Sequence, residues 1–298
     1  MKTKGQSNKV TRSSEGLFDP KIDFVFKSIF GKEKDLFCSF ANSVIQPPKN
    51  QEIVDIEFIN SELPKENMEE KLSRLDVLAK LQNGSFINIE VQLKNSEPFQ
   101  ERVIYYWSKL YTSQLKPGDY YDKLKKVICI NLVNFIMFED NVNFHNVFEI
   151  VNRKTKQKMS DVFEVHFLET QKFKDSHKTM LDKWMLFLRD PLSVSKLNEQ
   201  NHVFIKAKEC LVILSQDENA RRLYEARMDR IRLDYGSLKL AKNEGFEEGM
   251  SKGIEEGMSK GILEEKIVVV TNMKSLGMDL ETISKVTGLA VTEIKKMI

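Results

Sequence analysis

The chain has 298 residues, 30% charged and 41% hydrophobic, enough apolar residues for a sizeable core in roughly one to three domains. Lys and Arg number 46 against 44 Asp and Glu, a formal charge of only +2. That balance excludes a chain that coats nucleic acid by bulk positive charge and an acidic disordered chain, while leaving room for a local basic groove. Residues 1–16 are polar and basic with no apolar stretch, which predicts a disordered tail and no secretory signal. Apolar patterning begins at Leu17. FDPKIDFVFKSIFG (18–31) opens a helical region, and KDLFCSFANSVI (34–45) repeats apolar residues at helical spacing until Pro47 and Pro48 stop it.

The period then changes. EIVDIEFI (52–59) alternates as a strand does, and LSRLDVLAKL (72–81) is a second strand. QNG (82–84) is a turn signal, after which SFINIEVQLK (85–94) alternates again. Phe86, Asn88, Glu90, Gln92 and Lys94 take one side of that strand; Ile87, Ile89, Val91 and Leu93 take the other. Residues 99–116 carry Phe99, Val103, Trp107, Leu110 and Tyr111 at spacings of three and four, an amphipathic helix. KVICINLVNFIMF (126–138) suits a buried strand. VFEIV and DVFEVHFLE, within 147–169, flank a lysine-rich turn (154–158) as a hairpin would. Beyond about residue 176 the chain reads as helical.

In EGFEEGMSKGIEEGMSKGI (244–262), Gly245, Gly249, Gly253, Gly257 and Gly261 recur every four residues, each followed by Phe246, Met250, Ile254, Met258 or Ile262. Each glycine costs roughly 1 kcal/mol against alanine in a helix. The pattern fits either a close-contact helix face that meets another helix or another copy of the chain, or a frayed low-complexity linker. The tail (278–298) reads as two short helices around a Thr287-Gly288 turn, a packing element or a helix-turn-helix fragment without a basic face.

Cys38, Cys129 and Cys210 form no CxxC pair, so neither a disulfide framework nor a cysteine zinc site is expected. His145, His166, His177 and His202 form no HxxxH or HExxH pair, against histidine-based zinc catalysis. No run of about 18 apolar residues predicts a membrane span. A cytoplasmic protein is expected.

The residues with chemical content are Asp76, Glu90, Gln92 and Lys94. Asp76 interrupts an apolar run, where a carboxylate is costly to bury unless paired or metal-bound. Glu90 stands on the next strand, across a short turn. Two carboxylates on adjacent strands repel and raise each other's pKa, a conflict that a bound Mg²⁺ or Mn²⁺ removes. Gln92 shares the Glu90 face and could orient a water; Lys94 continues that face and could supply a cation. By itself the pattern is weak and fits an exposed strand face with ordinary charges better than a catalytic site.

Four pieces in order and at spacing, FDPKIDFVFKSIFG, RLDVLAKLQNGSFINIEVQ (74–92), ERVIYYWSKLYTSQLKPGDYY (101–121) and KKVICINLVNF (125–135), resemble the PD-(D/E)xK nuclease family transposases, or recombination-promoting nucleases. The glycine repeat and the tail resemble the C-terminal part of the same family. The resemblance implies an α/β, restriction-endonuclease-like αβββαβ core with a mostly helical C-terminal region. The expected divisions are 1–16 (tail), 17–170 (nuclease-like domain), 171–243 (helical region), 244–263 (glycine repeat) and 264–298 (helical tail). It further implies a Mg²⁺- or Mn²⁺-dependent DNA endonuclease, with Asp76, Glu90 and the Val91 carbonyl as ligands. Gln92 takes the place of the usual lysine. Asp23 and Lys27 on the first helix, and Arg102 and Tyr106 on the helix after the third strand, fall at positions that would approach DNA. A homodimer is expected, since two-fold symmetric copies suit cutting both strands. The other reading is a catalytically degenerate interaction protein that oligomerises or binds DNA without cleaving it.

Overall fold

A computed structural model describes residues 16–60, 76–95, 98–176, 178–192 and 201–298. The tail expected over 1–16, apart from Gly16, lies outside these residues, as do positions 72–75 of the second expected strand. The first elements are helices α1 (Asp23–Phe30) and α2 (Lys34–Ile45) and strands β1 (Ile56–Ile59), β2 (Val77–Leu81) and β3 (Phe86–Gln92). They are followed by α3 (Phe99–Thr112) and β4 (Val127–Val133), the expected order of a helical opening, three strands, a helix and a strand. Helix α2 ends on Gln46, which takes a left-handed conformation (φ 51°) ahead of Pro47, a residue that disfavours helical geometry at the position before it.

Strands β5 (His145–Phe148) and β6 (Phe163–Glu169) complete a six-stranded sheet of order β1-β2-β3-β4-β6-β5. The β1–β2, β2–β3 and β5–β6 pairs are antiparallel; β3–β4 and β4–β6 are parallel. The β2–β3 connection is the tight turn read from QNG: Gly84 N–H donates to the Leu81 carbonyl at 2.9 Å with φ +86° at Gly84, a region open to glycine. The parallel β3–β4 pair requires a crossover, and α3 supplies it. Residues paired across strands put their side chains on one face, so Leu78, Asn88, Glu90, Cys129 and Asn131 share the face that α3 covers with Phe99, Val103 and Leu110. In the opposite phase β3 and β4 are apolar and buried throughout, as their sequences predict.

Helices α4 (Met180–Arg189) and α5 (His202–Gln216) belong to the same compact unit, which extends to Tyr224. Trp184 of α4 is fully buried, with its ring 5.3 Å from Phe30, 5.9 Å from Phe40 and 4.6 Å from Phe204. This aromatic centre joins α1, α2, α4 and α5, and α1 also packs on β3, which fixes the start of α1 relative to the strands. At the far edge, Glu169 is fully buried yet satisfied. It accepts from the Met137 N–H at 2.7 Å and Asn146 Nδ2 at 3.0 Å and pairs with Lys172 at 2.9 Å, anchoring the β4–β5 connection.

The boundary to the second unit (Glu225–Ile298) falls within α6 (Glu218–Ser275), a continuous helix of 58 residues that includes the whole glycine repeat. Good helix formers surround the glycines, and Lys252 pairs with Glu248 one turn away at 2.6 Å. The end of α6 packs with α7 (Leu280–Thr287) and α8 (Val291–Met297) around Val270, Ile283 and Ile294. Asp279 caps α7 by accepting from the Glu281 and Thr282 N–H groups at 3.0 and 2.9 Å, and Gly288 (φ +69°) ends it, as the Thr287-Gly288 reading predicts. Nothing lies within 4 Å of where a Cβ would stand on Gly249, Gly253 or Gly257. Replacing these three with alanine is therefore expected to raise the helical ellipticity and thermal midpoint of the full-length chain, at about 1 kcal/mol per site. A lower midpoint would show that the glycines are held against another helix in solution.

Candidate active site

Val77 pairs with Ile89 in the antiparallel β2–β3 register, so Asp76, one residue earlier, falls beside Glu90. The described strand starts at Val77, which places Asp76 at the mouth of β2 and not in its middle. The two carboxyls are locked by reciprocal backbone bonds. The Asp76 N–H donates to Glu90 Oε1 at 3.1 Å, and the Val91 N–H donates to Asp76 Oδ2 at 2.8 Å. Asn88 Nδ2 adds a third bond, to Glu90 Oε1 at 3.3 Å. Asn88 precedes Glu90 by two residues on the same face; the alternation of β3 put it there, but nothing in its type marked it as a partner.

Glu90 is buried, and Asp76 is partly exposed. Burial pushes the Asp76 carboxyl up to about 6; the Val91 amide opposes this, Asp23 adds to it, and the charges of Lys27 and Arg102 hold it down. Burial also pushes Glu90 up to about 8, reinforced by the neighbouring Asp76 and opposed by the Asp76 amide, Asn88 and Arg102. The pair thus keeps a proton at neutral pH that ordinary carboxyls have lost.

Gln92 ends β3. Its Nε2 donates to the Lys94 carbonyl at 2.8 Å, and its Oε1 accepts from Arg102 Nη2 at 2.8 Å. The Arg102 guanidinium, one turn into α3, lies 4.8 Å from the Phe99 ring and 6.0 Å from the Tyr106 ring. Lys94 lies beyond the strand end and meets Gln92 through its backbone. The structure therefore gathers Asp76, Glu90, Val91 and Gln92 from the sheet, Asp23 and Lys27 from α1, and Arg102 and Tyr106 from α3 around one end of β2 and β3. His145 and His166 lie elsewhere: they share a hydrogen bond of 2.9 Å that ties β5 to β6, with His166 also bonded to Glu164 at 2.8 Å.

Among the described residues, no group of three or more His, Cys, Asp or Glu side chains is arranged to hold a metal ion. The donors at hand are two carboxylates and a backbone carbonyl. After the bonds above, Asp76 Oδ1 and Glu90 Oε2 carry no hydrogen bond among the described residues. Two hard oxygens and a carbonyl, with waters completing the shell, suit Mg²⁺, which keeps several waters and needs few protein ligands.

A family profile described as PD-(D/E)XK nuclease family transposase matches residues 20–239, and the chain belongs to that family. No curated protein and no solved structure gives a significant match.

The raised carboxyls make stability pH-dependent. The folded pair holds protons that the unfolded carboxyls, at 3.8 and 4.5, have released, so its contribution weakens as pH rises from about 4 to about 8. His145, pushed down to about 4 by burial and by His166, acts in the opposite sense below pH 6.5. Comparison with Glu90→Gln cancels that second effect. In metal-free urea denaturation the variant should match wild type near pH 5. By pH 8 it should be more stable, by on the order of 2 kcal/mol. An advantage that does not widen with pH would contradict the buried, repelling pair.

Proposed function

We propose that this member of the PD-(D/E)XK nuclease family transposases is a DNA endonuclease that hydrolyses phosphodiester bonds with the help of Mg²⁺ or Mn²⁺. The observation that carries the reading is the locked Asp76–Glu90 pair, in which Asp76 Oδ1 and Glu90 Oε2 carry no hydrogen bond among the described residues. Asp76, Glu90 and the Val91 carbonyl would hold the ion. When bound, the ion supplies an acidified water and neutralises phosphate charge. In the hydrolysis a water oxygen bonds to phosphorus as one P–O ester bond breaks; the water gives up a proton and the leaving oxygen gains one.

The remaining residues fit the approach of a polyanion. Lys27 on α1, together with Arg102 and Tyr106 on α3, flanks the carboxyls and would contact the DNA backbone. Asp23 bears on Asp76 from α1 and would keep its carboxyl responsive to charge brought into the site. Lys94, past the end of β3, would add positive charge beside the path of the strand. The buried, unbridged Cys38 and Cys129 are consistent with action in a reducing compartment such as the cytoplasm, and no described helix is long and apolar enough to cross a membrane. Two copies acting as a homodimer would cut the two strands of a duplex; the exposed apolar residues beside the α6 glycines favour self-association.

The test is cleavage of duplex, single-stranded and branched DNA, with RNA for comparison, in Mg²⁺ and in EDTA. Metal-dependent cutting of DNA is expected, reduced at least about 100-fold in Asp76→Ala and in Glu90→Ala. Absence of cleavage on every substrate would leave an interaction protein whose working part is the α6 stripe. Cutting confined to RNA would replace the substrate.

A further inference from the structure

Hydrolysis of a phosphodiester builds negative charge on the phosphate, and a preorganised cation at that point is among the largest catalytic contributions a protein side chain makes. The family motif names a lysine two residues after its acidic residue; this chain has Gln92 there, which is neutral. We propose that the Arg102 guanidinium is the cation that faces the scissile phosphate, and that Gln92 is the residue that positions it. The inference rests on the nuclease reading and deepens it.

Both ends of the Gln92 amide are committed. Nε2 is tied to the Lys94 carbonyl at 2.8 Å, which turns Oε1 toward Arg102 Nη2, also at 2.8 Å. An amide fixed in this way works as a bracket for a guanidinium. Phe99 supplies the second constraint: it is 3% exposed, and its ring centroid lies 4.8 Å from the guanidinium carbon, so the planar group packs on a buried ring. A guanidinium carries five N–H donors in a planar fork, and the Gln92 bond fixes the orientation of that fork. The arginine is also near enough for its charge to bear on both Asp76 and Glu90. The motif lysine has thus been divided between two elements: β3 keeps the position as a neutral bracket, and α3 brings the charge.

Lys27 and Lys94 are the competing cations. Lys27 is exposed on α1, and Lys94 meets Gln92 through its carbonyl. The decisive variants are Arg102→Gln, Arg102→Lys, Gln92→Lys and the double variant Arg102→Gln with Gln92→Lys. They would be compared by single-turnover cleavage and by calorimetric titration with Mn²⁺. Arg102→Gln should cleave about 100-fold more slowly. Its Mn²⁺ affinity should hold or tighten, because a positive charge has left the neighbourhood of two carboxylates. Arg102→Lys should retain an intermediate rate, and the double variant should regain at least about tenfold, since a lysine at position 92 returns the charge by the shorter route.

Arg102→Gln cleaving within about threefold of wild type would overturn the proposal and pass the role to Lys27 or Lys94. Loss of Mn²⁺ affinity in step with cleavage would also overturn it, as the mark of a merely structural arginine. A double variant no faster than Arg102→Gln would do the same. Wild-type protein that neither binds Mn²⁺ nor cleaves any nucleic acid would remove the nuclease reading, and this inference with it.

Discussion

Two carboxyls that repel each other are held side by side at one end of the sheet, and the local architecture is arranged to hold them there. Asp76 and Glu90 each accept a backbone N–H donated from beside the other, so neither can turn away without breaking a bond that fixes the strand pair. Burial raises both carboxyls, with Asp23 adding to the effect at Asp76 and Asp76 adding to it at Glu90. On the proposed reading a cation held by the pair would relieve that conflict, so the geometry that costs stability in the metal-free protein would favour its binding.

The surrounding elements serve that pair in distinct ways. The tight turn at Gly84 sets the β2–β3 register, which sets the separation of the two residues. Helix α1 is fixed by its packing on β3 and by the aromatic centre at Trp184, and it brings Asp23 and Lys27 within electrostatic reach. The crossover helix α3 begins where β3 ends, which puts Arg102 against Gln92. One end of the sheet therefore collects carboxyls from two strands and from α1, and positive charge from α1 and α3, a distribution suited to a metal and a phosphate together.

Much of this was legible in the sequence because its periodicities are local. The two-residue alternation of β3 placed Asn88, Glu90 and Gln92 on one face, and the turn signal placed β2 beside it. The i, i+4 spacing of Arg102 and Tyr106 put them on one side of α3. The reach of Arg102 to Gln92 was not legible, because it depends on how the crossover packs over the sheet, which no local pattern encodes. Lys94 was expected to continue the Glu90 face, but the strand ends at Gln92, so the alternation stops short of it. The glycine repeat left two readings open because propensity counts against a helix while the spacing suits one; the structure holds one uninterrupted α6 through it.

The most direct test of the account is anomalous diffraction from crystals of the protein soaked in Mn²⁺. One peak is predicted, between Asp76 Oδ1 and Glu90 Oε2 and within reach of the Val91 carbonyl, and it should vanish in Glu90→Gln crystals. An empty site at saturating Mn²⁺, or a peak elsewhere on the molecule, would contradict the claim that this buried pair is a metal centre.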